Sequence, residues 1–384
     1  MKRQAIIPSV IIIIVCIALA SFLFIQQWQD SDDDDKKVFT SKNHQPRSSV
    51  LINRELTEKI TIGAIGDILI HDNIYQDAYN GATYEFDPMF ENVKPLLEKP
   101  DVLTANQEST LGGKALGLSG YPRFNSPYEV ADALVHTGVD IVSTANNHTL
   151  DKGEKGIKLE AKYLESIGLP HVGSFLNEKD RQNLRILNKN GIKIAFLSYT
   201  YGTNGIPVPD GKDFLVNLIN RETMRDEIHR AKKEADVIVI SIHWGNEYHR
   251  MPTKEQKELA HFLANEGVDI IFGSHPHVLQ PMEWIKTDDG RKTFVIYSLG
   301  NFISAQHNDY KDIGGLATLD ITKHVSDKGK SIEISNPKFY PTYVASKHNT
   351  RFRVVQLEKA GPFGLRNAKG KYKDIQDHMM QWLR

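Results

Sequence analysis

Asp236-Val237-Ile238-Val239-Ile240-Ser241-Ile242-His243 is the stretch that decides the fold. Its nearly unbroken run of β-branched apolar residues predicts a strand buried on both faces, as in a parallel sheet covered by helices. The run delivers a histidine at its end. Working outward, Val268-Asp269-Ile270-Ile271-Phe272 opens into Gly273-Ser274-His275-Pro276-His277. Upstream, Ile60 to Ile65 ends at Gly66-Asp67, Asp101 to Ala105 ends at Asn106-Gln107-Glu108, and Val139 to Ala145 runs into Asn146-Asn147-His148. Between them, about 127–136, 153–166, 222–234 and 254–266 carry apolar residues at spacings of three and four, the helical period. Strands alternating with helices predict an α/β architecture with buried sheets.

In open α/β sheets, ligands gather beyond the carboxyl ends of the strands. One polar residue at a strand end is usually a cap or a turn. Here an Asp, a Glu, an Asn and four His residues come from five such ends, and we read them as one site. Asp67 and Glu108 offer anionic oxygens, one of which can bridge two ions. His243, His275 and His277 offer neutral imidazoles, which transition metals prefer. Two divalent ions about 3.5–4 Å apart clamp a phosphoryl or carbonyl centre and generate hydroxide near neutral pH. His148, beside Asn147, is placed to protonate a leaving oxygen, with Asp151 orienting its ring.

Composition narrows the chemistry further. The 384 residues hold 47 Lys+Arg and 48 Asp+Glu, a formal charge of −1, which removes the electrostatic case for a nucleic-acid binder. A single cysteine, Cys16, excludes internal disulfides and cysteine-based metal centres. Any metal therefore rests on histidine, carboxylate and amide ligands.

The apolar run Ala5 to Ile25 spans 21 residues. As a helix it would cover roughly 30 Å, the hydrocarbon thickness of a bilayer. A cleaved signal peptide is the competing reading, since Ala18-Leu19-Ala20 has the small-x-small form. Phe22-Leu23-Phe24-Ile25 prolongs the run beyond it and favours an uncleaved anchor. Ile14 and Val15 are too bulky for a lipobox before Cys16. Lys2 and Arg3 on one side, with Asp30 and Asp32 to Asp35 on the other, place the N-terminus in the cytoplasm and the rest outside. The expected organisation is an anchor over 1–28, an acidic polar linker over 29–55, a main domain over 56–310, and a β-rich extension with a terminal helix over 311–384.

Six blocks occur in order: Gly66-Asp67, Asn106-x-Glu108, Asn146-Asn147-His148, His243-Trp244-Gly245-x-Glu247-Tyr248, Gly273-Ser274-His275-Pro276-His277 and Ser298-Leu299-Gly300-Asn301-Phe302. Together they resemble the bacterial capsule-synthesis CapA family, also called the poly-γ-glutamate synthesis protein family, of the calcineurin-like metallophosphoesterase superfamily. The resemblance covers about Lys59 to Ala305. It implies a two-sheet α/β sandwich flanked by helices, carrying two divalent ions (Mn, Zn, Fe or Mg). By position it implies Asp67, Glu108, Asn147, His243, His275 and His277 as metal ligands and His148 as the catalytic histidine. Asn106, Trp244, Glu247 and Asn301 are expected at the substrate or in the site wall; from the residues alone, Trp244 and Tyr248 read equally well as packing residues, and Asn301 as a hydrogen-bonding group or a turn cap. The superfamily's Asp-x-His pattern is broken, because Ile68-Leu69 follows Asp67; His71 lies nearby on the wrong spacing and is not counted as a ligand. Glu108 stands where the superfamily usually has an aspartate.

Other motifs carry less. Gly112-Gly113-Lys114 is too short for a phosphate loop, and no Gly-x-Ser-x-Gly elbow occurs. Arg123 reads as a solvated surface residue, and His136, His171, His229 and His261 read as structural or surface groups. Beyond Ala305, 315–322, 331–335, 338–344 and 351–357 read as strands. Ile375, Met379 and Trp382 share one side of a terminal helix expected to dock on the domain. The function expected is a membrane-anchored extracellular hydrolase of the phosphoesterase type serving capsule or poly-γ-glutamate production. Its partners would be membrane-embedded synthase components and an anionic polymer or phosphoester substrate. Two alternatives stay open: a non-catalytic factor binding the polymer or the synthase, and a metal-dependent γ-glutamyl amide hydrolase.

Overall fold

The computed structural model describes residues 55–327 and 329–383. The expected anchor and nearly all of the expected linker lie outside them; among the described residues no helix is long and apolar enough to cross a membrane. The described residues form fourteen strands: β1 (Leu56–Ile68), β2 (Val102–Gln107), β3 (Ile141–Ser143), β4 (His171–Val172), β5 (Arg185–Lys189), β6 (Ile192–Thr200), β7 (Val237–His243), β8 (Ile270–Ser274), β9 (Leu279–Lys286), β10 (Lys292–Leu299), β11 (Asn301–Ile303), β12 (Ile313–Ser326), β13 (Gly329–Lys347) and β14 (Thr350–Gln356). They form two sheets. One runs β14-β13-β12-β1-β2-β3-β4, with β11 also paired to β1; the other runs β5-β6-β7-β8-β10-β9. β1, β2, β3 and β4 are parallel neighbours, as are β6, β7 and β8.

Alternation along the strands builds the layers. Val237 and Val239 of β7 face the core between the sheets, with Ile60 and Ile62 of β1 and Phe294 and Ile296 of β10. Ile238, Ile240 and Ile242 face the other way, under Met224 and Ile228 of helix Arg221–Glu234 and Leu259 and Leu263 of helix Lys254–Glu266. Helix Glu129–His136 and the short helices of 87–97 cover the outer face of the first sheet with Val130, Leu134, Phe90 and Leu97. The order is therefore helix, sheet, sheet, helix, which explains why the strand runs are apolar on both faces. Thr253 and Gln256 close a reciprocal capping box at the start of Lys254–Glu266, which fixes where that helix begins.

The segment 311–383 adds strands to the first sheet, in keeping with its β-rich reading. β12 pairs antiparallel with β1 from Leu56 to Ile65, so the boundary expected at 310 divides nothing. Strands expected at 331–335 and 338–344 are one strand, β13. Asn336 and Pro337 interrupt the strand pattern in sequence, but the ladder with β12 absorbs them as a bulge between Thr318 and Asp320. Asn336 takes a left-handed φ of 54° and donates to Asp320 at 2.9 Å, as bulge residues do. The terminal helix, Ala368–Met380, docks through buried Ile375 and Met379.

Trp244, expected in the site wall, is a core residue. It is 2% exposed, lies against Tyr297 at 6.0 Å between ring centroids, and donates from Nε1 to the Tyr297 carbonyl at 2.9 Å. The reason is periodicity: His243 ends β7 facing the site, so its neighbour turns to the opposite face. Gly273 permits this packing, since a Cβ there would lie 2.1 Å from the Tyr297 carbonyl oxygen.

Two outcomes check this packing. Trp244→Phe should lower stability by about 1–3 kcal/mol through the orphaned carbonyl, measured by denaturant unfolding, and leave metal binding unchanged. Loss of metal with stability intact would return Trp244 to the wall. Glu160, buried on helix Gly153–Ser166, has its carboxyl pushed up by burial from 4.5 to about 8, although Leu111 N–H donates to it. The unfolded chain therefore releases this proton first, so the stability it supplies is full below about pH 4.5 and is lost as pH rises through about 8. Glu160→Gln should flatten that slope and gain on the order of 2–4 kcal/mol relative to wild type at pH 8.5 but not at pH 4.5. Parallel pH–stability curves for the two proteins would contradict it.

Candidate metal centre

The carboxyl ends of β1, β2, β3, β7 and β8 meet at one place. Gly66 lets this happen: a Cβ there would lie 1.9 Å from the Gly300 carbonyl oxygen, and Asp67 N–H donates to that oxygen at 2.9 Å. At the centre is Glu108, 1% exposed, with neither carboxylate oxygen in a hydrogen bond. Its Oε1 lies 3.7 Å from His243 Nε2 and 3.7 Å from His277 Nε2. Asp67, Glu108 and His277 have ligand atoms within 4.8 Å of one another, all buried. His243 Nε2 lies 2.8 Å from Asn147 Oδ1, and the His243 and His275 rings are 4.8 Å apart. The six expected ligands therefore converge.

Behind the ligands stands a shell of orienting groups. Asn106 donates to Asp67 Oδ1 at 2.8 Å, Ser274 Oγ lies 2.9 Å from His243 Nδ1, and Asn301 Oδ1 lies 3.0 Å from His277 Nδ1. Asn301 is held in turn, its amide donating to Gln306 and to the Lys311 carbonyl. Asn106 and Asn301 are thus buried positioning residues, not wall residues: Asn106 lies two residues before Glu108 in sequence, whereas only the fold brings Asn301 to His277. His243 Nδ1 is engaged by Ser274, and His277 Nδ1 by Asn301 and also by Asp67 Oδ2 at 3.2 Å, so Nε2 of each ring faces Glu108.

Electrostatics follows from burial. Burial first, then Asp67, pushes the Glu108 carboxyl well above the usual range. Burial lowers His243, and drives His275 to about 3 with help from His277. His277 moves the other way: burial lowers it, but Glu108 and Asp67 outweigh that and carry it up to about 9. A buried carboxylate without a hydrogen bond is costly unless a cation neutralises it. Two carboxylates, three imidazoles and an amide oxygen form a donor set suited to divalent transition metals, and the unpartnered Glu108 oxygens fit such a charge.

His148 occupies one side. Its Nδ1 is 2.7 Å from Asp151 Oδ2, both side chains are buried, and Phe124 N–H donates to the same oxygen at 2.6 Å. The Phe124 ring packs edge-on against His148 at 4.7 Å and against His71 at 5.1 Å. His71, set aside on spacing, thus borders the site through Phe124, with its ring nitrogen near the Leu69 carbonyl and Ala305 N–H; burial lowers it to about 4. Glu247 is exposed at the mouth, within 4.8 Å of His275 and His277.

Tyr201 and Asn204 escape the sequence reading. Tyr201 lies 4.6 Å from the His275 ring, and Asn204 joins Asn147 (3.2 Å) to His148 (3.4 Å). Both follow β6, whose run Ile192 to Thr200 ends beside the others. Treating that run as a sixth parallel strand was the signal that would have found them.

With this geometry in view, the comparisons are direct. The model of the family "Bacterial capsule synthesis protein PGA_cap" matches residues 61–306. Capsule biosynthesis protein CapA of Bacillus anthracis is 30% identical over 294 residues, covering 72% of this chain and 66% of that protein. PGA biosynthesis protein CapA of Bacillus subtilis (strain 168) is 28% identical over 244 residues, covering 57% of each. The chain therefore spans just under two thirds of the first relative and somewhat over half of the second. Among solved structures, the calcineurin-like phosphoesterase YfkN from Bacillus subtilis aligns at a TM-score of 0.46 and 16% identity, over 74% of this chain and 91% of that one; at that score the likeness adds nothing to the fold already described. The matched span runs from β1 past β11 and contains every ligand of the candidate centre, so the chain belongs to the bacterial capsule synthesis protein PGA_cap family.

Proposed function

We propose that the protein is a metal-dependent hydrolase of the phosphoesterase type that serves the synthesis of an anionic capsular polymer. The observation that carries the reading is Glu108: a buried carboxylate, free of hydrogen bonds, facing Nε2 of two histidines. Asp67, Glu108 and His277 would hold one ion, and Glu108, Asn147, His243 and His275 a second. Bound there, divalent ions would supply Lewis-acid polarisation of the scissile centre and an activated water.

The chain's own groups do the remaining work. Asp151 accepts from His148 Nδ1–H, which fixes the tautomer and leaves Nε2 to carry the proton given to the leaving oxygen. Phe124 shields the His148 and Asp151 pair from water on one flank, so the pair keeps its geometry. Asn106, Ser274 and Asn301 hold the ligand set rigid, which limits reorganisation during reaction.

Placement in the cell belongs to the same proposal. The apolar run Ala5 to Ile25, with basic residues before it and acidic residues after it, supports a single-pass anchor with the catalytic domain outside the membrane. There it would act beside membrane-embedded synthase components. The relatives named for capsule and PGA biosynthesis support the polymer as context.

The test pairs metal content with turnover. Wild-type protein purified without chelator should carry divalent metal and cleave a chromogenic phosphodiester or phosphomonoester. The double variant His243→Ala with His275→Ala should lose both properties. His148→Ala should keep its metal but lose about 10²–10⁴ in kcat. Metal-free wild-type protein would overturn the reading; metal-loaded protein inert on phosphoesters but active on γ-glutamyl amides would move the substrate class.

A further inference from the structure

Glu247 has no place in the inner ligand set, yet its carboxylate lies at the mouth within 4.8 Å of ring nitrogens of both His275 and His277. Its position is built, not incidental. Glu247 stands in the turn after β7, and the next residue, Tyr248, donates its backbone N–H to the Pro276 carbonyl at 2.7 Å. That bond ties the turn to the His275-Pro276-His277 segment. Tyr248, His275 and His277 all adopt left-handed backbone, with φ of 66°, 97° and 57°. Such conformations cost energy in residues with side chains, and persist where surrounding structure enforces them at functional sites. Two strained segments are thus locked together in the geometry that brings Glu247 to the histidines.

A second observation points the same way. His275 is 3% exposed and its Nδ1 has no hydrogen-bond partner. The orienting shell that serves His243 through Ser274 and His277 through Asn301 does not reach this ring. One side of its imidazole is therefore uncommitted in a buried setting, which is unfavourable unless a ligand completes it.

We propose that Glu247 is a metal ligand at the mouth, completing an outer set with His275 and His277 that takes a divalent transition metal. This rests on the metal-dependent reading above and extends it. The outer ion is the second of the two proposed above, so Glu108 and His275 serve it too, and the two ions differ in exposure: Asp67, beside the first, is buried, whereas Glu247 is solvent-exposed. Water competes for an exposed carboxylate, so the outer ion exchanges and the inner one is retained. Carboxylate and imidazole together favour Mn, Fe or Zn over Ca.

The test uses the full chain in detergent micelles, stripped of metal and titrated with Mn²⁺ alone, with free and bound ion followed by electron paramagnetic resonance. Wild type should bind two ions in distinguishable steps. Glu247→Gln should weaken the weaker step at least about tenfold and leave the tighter step within about twofold. Glu247→His should restore the weaker step, since imidazole can replace the carboxylate. Glu108→Gln should weaken both steps. A Glu247→Gln isotherm that superimposes on wild type, with Glu108→Gln still defective, overturns the outer ligand and spares the metal-dependent reading. Equal weakening of both steps by Glu247→Gln also overturns it, because that is the signature of a general field and not of a ligand. No Mn²⁺ binding by wild type overturns both readings.

Discussion

The structure depends on a buried charge with nothing to balance it except its neighbours. Glu108 and Asp67 lie side by side in the interior; burial and the neighbouring Asp67 displace Glu108 upward, and the pull of both carboxylates raises His277. Apolar residues in their place would be cheaper for folding. What the arrangement provides instead is a fixed, desolvated anionic pocket lined by imidazole nitrogens, the requirement for gripping divalent cations. The surrounding fold can be understood as the support for this pocket: two sheets whose parallel strands end together, glycines at 66 and 273 that let backbones approach, and asparagines that hold Asp67 and His277 from behind.

That support explains where rigidity and exposure are divided. Three inner residues are locked by neighbouring strands: Asp67 by Asn106 of β2, His243 by Ser274 of β8 and His277 by Asn301 of β11. At the mouth, Tyr201, Asn204 and Glu247 come from turns following β6 and β7. Rigid elements therefore hold the inner ligands and loops form the approach, a division that lets one scaffold keep its metal chemistry while its substrate contacts vary.

Much of this was legible in the residues. β7 and helices 153–166 and 254–266 are visible because burial on both faces, helical period and a capping box each leave a local signature. The six expected ligands converge as their positions at strand ends implied. What was not legible depends on three-dimensional context. Trp244 follows a ligand but faces away from it, and only the pleat at the end of β7 decides that. Asn106 lies two residues before Glu108 in sequence, whereas only the fold brings Asn301 to His277. β13 reads as two strands because Asn336-Pro337 disrupts the pattern that pairing with β12 restores. Tyr201 and Asn204 are hidden because β6 ends at Thr200, just before Tyr201, with no metal-type side chain at its end to mark it.

The central claim is that Glu108 is the carboxylate around which the metal centre is assembled. Anomalous X-ray diffraction from crystals of the protein grown with Mn²⁺, collected on either side of the metal edge, addresses it most directly. The account predicts anomalous peaks in direct coordination contact with Glu108 and with Nε2 of His243 and His277. Crystals that show no anomalous density beside Glu108, with its carboxyl instead hydrogen-bonded to water or to protein groups, would contradict it.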